Sequence, residues 1–175
     1  MTSTLSSLNS IPVSHVMRSQ VRVIKEDDTL QQACKVMVQN NIGSVLVANR
    51  LDSPKVPQGI ITERDIVKHM AEKPISTAAM ANQIMSKPVV TIHPNASLRD
   101  ALQTMHARDI RRLVVVDDDG TNIAGILTDK DIFRFIARNQ SVSSAFVSEQ
   151  ALARDRQMTD RFSTNLFDDI INRRL

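Results

Sequence analysis

The chain carries one segment twice. Gly59-Ile60-Ile61-Thr62-Glu63-Arg64-Asp65 returns 66 residues later as Gly125-Ile126-Leu127-Thr128-Asp129-Lys130-Asp131. Upstream, Met17, Val21, Leu30, Ala33, Met37, Ile42, Val45 and Val47 recur at a spacing of 68 as Met85, Val89, Leu98, Ala101, Met105, Ile110, Leu113 and Val115. The spacing shortens because the Asn49–Gln58 connection is two residues longer than Asp117–Ala124. Similarity that holds register this long is a duplication. Two copies of this size predict two small units closing on each other, whereas solenoid arrays repeat every 20–50 residues or so.

Each copy has the same pattern of elements. A β-branched run (Val21–Ile24; Val89–Ile92) precedes a hydroxyl residue, Thr29 or Ser97, suited to cap a helix. Leu30, Ala33 and Met37, like Leu98, Ala101 and Met105, then fall on one helical face, opposite Gln31, Gln32, Arg99 and Gln103, and that stripe should pack on a sheet. Two strands follow, Ser44–Ala48 with Gly59–Thr62 and Leu113–Asp117 with Ile123–Thr128, the second pair turning at Asp118-Asp119-Gly120-Thr121. Helices over about Glu63–Met70 and Asp129–Arg138 close the copies. The expected fold is therefore α+β, with strand, helix, strand, strand, helix in each unit: repeat 1 over 13–71, repeat 2 over 82–138, and an unduplicated extension over 139–175. Pro74 breaks the linker around Glu72–Met80. In the extension, Phe162, Leu166 and Ile170, with Phe167, Ile171 and Leu175, form two i, i+4 rows of a C-terminal helix, which either packs on the protein itself or meets a partner.

Composition narrows the function classes. A chain of 175 residues can bury roughly 70% of its unfolded surface without metal or disulfides. The single cysteine, Cys34, lies on the helical stretch as a packed thiol, consistent with a reducing cytoplasm. The N-terminal ten residues do not resemble a secretion signal, and no window approaches the ~20 apolar residues of a membrane span. A net charge of +3, with no Trp, no Tyr and five Phe, argues against nucleic-acid binding by base stacking. His15, His69, His93 and His106 show no metal-ligand spacing, and Asp117-Asp118-Asp119-Gly120 lacks the later ligands of a calcium loop. No nucleophile motif or P-loop is present, so an enzyme is not expected.

The repeated heptapeptide carries the chemistry. Thr62-x-x-Asp65 and Thr128-x-x-Asp131 have capping-box spacing, which alone would mean only a helix start. In both copies, however, Gly stands three residues before the Thr, a base (Arg64, Lys130) precedes the Asp, and a strand runs into a helix. Helix N-terminal N–H groups favour phosphate oxygens, and a carboxylate can accept two ribose hydroxyls. With these segments, Met85-Ser-Lys-Pro-Val-Val-Thr-Ile92 and Asp109-Ile-Arg-Arg-Leu-Val-Val-Val-Asp117, the chain resembles a tandem pair of cystathionine-β-synthase (CBS) domains, a Bateman module, over roughly residues 13–138.

That resemblance implies two pseudo-symmetric repeats packed through their sheets. Between them lie clefts for AMP, ADP, ATP, S-adenosylmethionine or NAD(H), and such modules regulate and often form disc-like dimers. One cleft would join Asp131 and Thr128 to Ile126, Val21, Ile42, Gly43 and Ser44. The other would join Asp65 and Thr62 to Ile60, Val89, Ile110, Arg111 and Arg112. Asp65 and Asp131 would bind ribose, and Thr62 and Thr128 phosphate or ribose. Arg64, Lys130, Arg111 and Arg112 would meet phosphates. Because Arg111-Arg112 stands where repeat 1 has Gly43-Ser44, the clefts should differ: guanidiniums pair with phosphate, whereas Gly-Ser leaves room for a base. The proline such modules often place near the start of the second strand is absent from both copies. The expectation is a cytoplasmic adenine-nucleotide sensor, homodimeric, with no catalytic residue, metal or cofactor and with a possible protein target. The alternatives are an interaction module with vestigial clefts and nucleic-acid binding through Arg108, Arg111 and Arg112.

Overall fold

The structure, a computed structural model, describes residues 8–49, 57–72, 78–117, 119–120, 122–139 and 142. The expected C-terminal helix rows, from Phe162 to Leu175, lie outside those residues, as do residues 73–77 of the linker around Glu72–Met80.

The repeats form the expected α+β units. Repeat 1 comprises β1 (Val23–Lys25), α1 (Leu30–Asn40), β2 (Ser44–Ala48), β3 (Gly59–Thr62) and α2 (Glu63–Glu72). After the short α3 (Ala81–Ile84), repeat 2 comprises β4 (Thr91–Ile92), α4 (Leu98–Ala107), β5 (Arg112–Val116), β6 (Ile123–Thr128) and α5 (Asp129–Arg138). Each makes a three-stranded sheet in sequence order, with its first pair parallel and its second antiparallel. The parallel pairs are joined through a helix, as parallel pairing requires.

Both first helices start as the sequence predicts. Thr29 Oγ1 accepts from Gln32 N–H while the Gln32 side chain accepts from Thr29 N–H, and Ser97 and Asp100 repeat this exchange. The helical stripes Leu30, Ala33, Met37 and Leu98, Ala101, Met105 are all buried against their sheets. Cys34 is half-buried beside the first stripe. The β5–β6 hairpin closes through Gly120 N–H to Asp117 O at 2.9 Å, with Gly120 left-handed, and the Asp117 carboxylate accepts from Asn122 at 3.0 and 2.6 Å. That carboxylate serves the turn.

β2 and β5 are buried on both faces because the strand period of two sends alternate residues to different cores. Val45, Val47 and Ile61 face the helices of repeat 1, and Leu113, Val115 and Leu127 face those of repeat 2. Leu46, Val114 and Val116 point the other way into a third cluster, joined by Val21, Val23, Ile60, Val89 and Ile123, where the repeats meet. Burying each of these aliphatic side chains stabilises by about 1.5–3 kcal/mol.

The lead-in segments cross over. Residues before β1, including Val13, Val16 and Met17, pack into the core of repeat 2, and Arg18 bridges to Ile126 on β6. Residues before β4, including Ala81, Ile84 and Met85, pack into the core of repeat 1, and Ser86 bridges to Ile60 on β3. Each repeat is thus completed by the strap that leads into the other.

Candidate functional site: paired Thr–Asp boxes at the ends of β3 and β6

Each repeated motif ends a strand and opens a helix, and its Thr and Asp are locked together there. In repeat 1, Thr62 N–H and Oγ1–H donate to Asp65 Oδ2 at 2.7 and 2.6 Å, and Asp65 N–H returns a bond to Thr62 Oγ1 at 3.3 Å. In repeat 2, Thr128 Oγ1–H donates to Asp131 Oδ2 at 2.6 Å, and Asp131 N–H donates to Thr128 Oγ1 at 3.1 Å. The remaining oxygens take their partners from the crossed lead-ins. Ser86 Oγ–H donates to Asp65 Oδ1 at 2.7 Å, whereas Arg18 Nε and Nη2 reach Asp131 Oδ1 at 2.8 and 2.6 Å. Arg18 and Ser86 occupy the same place in the duplication, one residue after Met17 and Met85. Asp131 is 7% exposed and depends on its guanidinium, since a buried carboxylate without a partner is costly.

The motif glycines belong to this arrangement. A methyl group on Gly125 would fall 2.6 Å from Arg18 O and 3.0 Å from Met17 Sδ, and one on Gly59 would fall 2.6 Å from Met85 Cγ and nearer still to its sulfur. Glycine stands at both positions because the strap passes directly over the strand. The repeated methionines and glycines are thus partners across the crossover.

Two duplicated units of this topology, each ending in a Thr–Asp box, agree with sequence comparison: the CBS domain family model matches residues 13–72 and 81–138. The chain belongs to the CBS domain family. It is 35% identical over 128 residues to an uncharacterised protein of Methanopyrus kandleri, covering 73% of this chain and 63% of that protein. It is 32% identical to the CBS domain-containing protein YhcV of Bacillus subtilis, covering 78% and 93%. Among solved structures, the CBS domain protein PAE2072 from Pyrobaculum aerophilum, complexed with AMP, superposes with a TM-score of 0.62 at 25% identity, covering 69% of this chain and 89% of that one.

The other residues expected to line the clefts of this CBS pair are distributed unevenly. Ser44 pairs with Thr62 and Arg112 with Thr128, so each strand start sits beside the box of its own repeat. Val21, Val89 and Ile60 pack in the inter-repeat cluster, whereas Ile42 and Ile110 pack against the separate cores of repeats 1 and 2. Ile126 is half-buried under the Arg18 strap. Arg64, Lys130 and Arg111 are exposed.

Arg112 takes a place that the sequence alone does not suggest. Its guanidinium extends over Gly43, where an added methyl would lie 2.7 Å from Arg112 Nη2 and 2.8 Å from Glu63 Oε2. The room expected above Gly43 is therefore filled by a side chain from the other repeat. Burial lowers the Arg112 pKa from its ordinary value, opposed by the carboxylates of Glu63, Asp129 and Asp65, while Arg111 adds to the lowering. Arg18 and Ser86 are the site residues that sequence reasoning missed. Duplication register aligns them, but an Arg–Ser mismatch carries no signal of a shared role.

Proposed function

We propose that this CBS pair is a regulatory adenine-nucleotide-binding module. AMP, ADP or ATP would occupy clefts at the two boxes, with Asp65 and Asp131 on ribose hydroxyls and Arg64, Lys130, Arg111 and Arg112 toward phosphates. The observation that carries this reading is the pair of matched Thr–Asp boxes at strand-to-helix junctions, in a family whose member PAE2072 was solved with AMP. Homodimer formation is part of the reading. Val67 on α2 and Phe133 on α5 occupy matching positions in the duplication and are 66% and 64% exposed, which offers equivalent apolar faces to a second copy.

One feature favours the rival, a protein-interaction module with vestigial clefts: every oxygen of both motif carboxylates is already engaged within the chain. Thermal unfolding against AMP, ADP, ATP, S-adenosylmethionine and NADH separates the two. A ligand at 100 times its dissociation constant adds about 2.7 kcal/mol, which for a chain of this length raises Tm by about 5–10 °C. That shift should disappear in the Asp65→Asn/Asp131→Asn double variant. No shift with any of the five assigns the module to protein contact.

A further inference from the structure

We propose that the cavity between the N-terminal lead-in and α5 is a binding site for a phosphate-class anion, with Arg18, Arg134 and Arg138 as its cationic ligands. The cavity, about 310 Å³, is walled by His15 and Arg18 on one side and by Asp131, Arg134 and Arg138 on the other. On α5 these last three stand at i, i+3 and i+7, which places them along one helical face. Three arginines from two elements therefore line a space in which Asp131, the one carboxylate among the described lining residues, is already bonded to Arg18 and Thr128. Among the described residues, no carboxylate lies within ion-pair distance of Arg134 or Arg138.

The bland alternative is solvated surface charge, with Arg138 favouring the negative end of its helix. Repeat 1 provides an internal control against it. The duplication places Ser86 opposite Arg18, Lys68 opposite Arg134 and Glu72 opposite Arg138. There Lys68 and Glu72 form an i, i+4 ion pair at 3.8 Å, so the same face is charge-balanced. In repeat 2 the acid of that pair has become a third guanidinium, and the excess positive charge is concentrated around a cavity. Guanidinium forks match the oxygens of a phosphate group, and an entering anion relieves their mutual repulsion. This inference rests on the cavity and not on adenosine recognition.

The test titrates the full chain with inorganic pyrophosphate, AMP and adenosine at constant ionic strength, by calorimetry and thermal unfolding. Arg138→Glu, which installs the repeat 1 arrangement, and the milder Arg134→Gln alter exposed side chains and should preserve the unfolding transition. Pyrophosphate affinity that falls about tenfold or more in both variants, while Lys68→Gln binds as wild type, supports a site for free phosphate species. AMP affinity that falls in both variants while adenosine affinity holds supports a site for a nucleotide's phosphate. The proposal is overturned if neither pyrophosphate nor AMP affinity changes in the two variants. If adenosine does not bind the wild-type chain while pyrophosphate does and both variants weaken it, the ribose assignment fails and the anion site is supported.

Discussion

Replacing Gly125 with alanine tests the crossover most directly, because the new methyl meets backbone. Its carbon would sit 2.6 Å from Arg18 O, about 0.9 Å inside an ordinary contact of roughly 3.5 Å. The Arg18 carbonyl cannot simply move away, since Arg18 and Ile126 exchange two backbone hydrogen bonds of 2.9 Å. Overpacking costs about 1–3 kcal/mol, and loosening each backbone bond adds roughly 0.5–1.5 kcal/mol. Alanine returns about 0.4–1 kcal/mol by restricting the unfolded chain. With both bonds loosened, Gly125→Ala should therefore destabilise by about 1–5 kcal/mol, centred near 3 kcal/mol. Gly59→Ala meets the flexible Met85 side chain and should cost about 1–2 kcal/mol. Urea unfolding reads both as a shift in midpoint at unchanged slope. Double-mutant cycles separate the two mechanisms. Met85→Ala should couple favourably to Gly59→Ala by about 1 kcal/mol, whereas Met17→Ala should leave the cost of Gly125→Ala within about 0.5 kcal/mol of its single value. A Gly125→Ala protein within about 0.5 kcal/mol of wild type, or one restored by Met17→Ala, would refute the strap geometry.

Thr29→Ala and Ser97→Ala should each cost about 1 kcal/mol in urea unfolding, and their effects should add because the caps serve separate helices. AMP titrated calorimetrically into Asp131→Asn, which retains the Asp65 cleft, should bind roughly fivefold more tightly than into Asp65→Asn. The reason is that ribose at Asp131 must displace a charge-assisted bond from Arg18, whereas at Asp65 it displaces only the Ser86 hydroxyl. The reverse order would show that Arg18 does not obstruct its cleft.

Most of the fold is legible in the sequence because duplication fixes the repeat and hydrophobic period fixes each element. Ser44–Ala48, Gly59–Thr62, Ile123–Thr128 and Asp129–Arg138 are read to the residue. Strand ends deviate where pairing outweighs composition. β1 is Val23–Lys25 instead of Val21–Ile24, and β4 is Thr91–Ile92 instead of Val89–Ile92. Val21 and Val89 are β-branched but lie outside the ladders and pack between the repeats. Likewise β5 is Arg112–Val116 instead of Leu113–Asp117, because Arg112 pairs with Thr128 while Asp117 turns to hold Asn122. The boxes are legible because a cap needs residues of fixed type at fixed spacing. The crossover is not: which repeat a lead-in joins depends on contacts between residues as far apart as Arg18 and Asp131, and local pattern carries no record of them. The motif glycines invite a nucleotide reading from sequence, yet their physical requirement is the close approach of a strap.

The crossover also bears on how a regulatory module of this kind could work. A ligand shifts a conformational equilibrium only through an interaction that differs between the two states. Here that interaction can be named: Arg18 bonds Asp131 when the carboxylate is free, and ribose hydroxyls would compete for the same oxygen. Arg18 lies three residues before Val21, which packs in the cluster between the sheets, and Ser86 stands in the same relation to Val89. Each strap therefore touches the box of one repeat and leads into the first strand of the other. On the proposed reading, occupancy at one box changes the anchoring of the opposite repeat's first strand, and the inter-repeat packing of Leu46, Val114 and Val116 is the element it biases. The asymmetry between a guanidinium and a hydroxyl then gives the two clefts unequal leverage, with the stronger conformational consequence at Asp131 and the easier occupancy at Asp65.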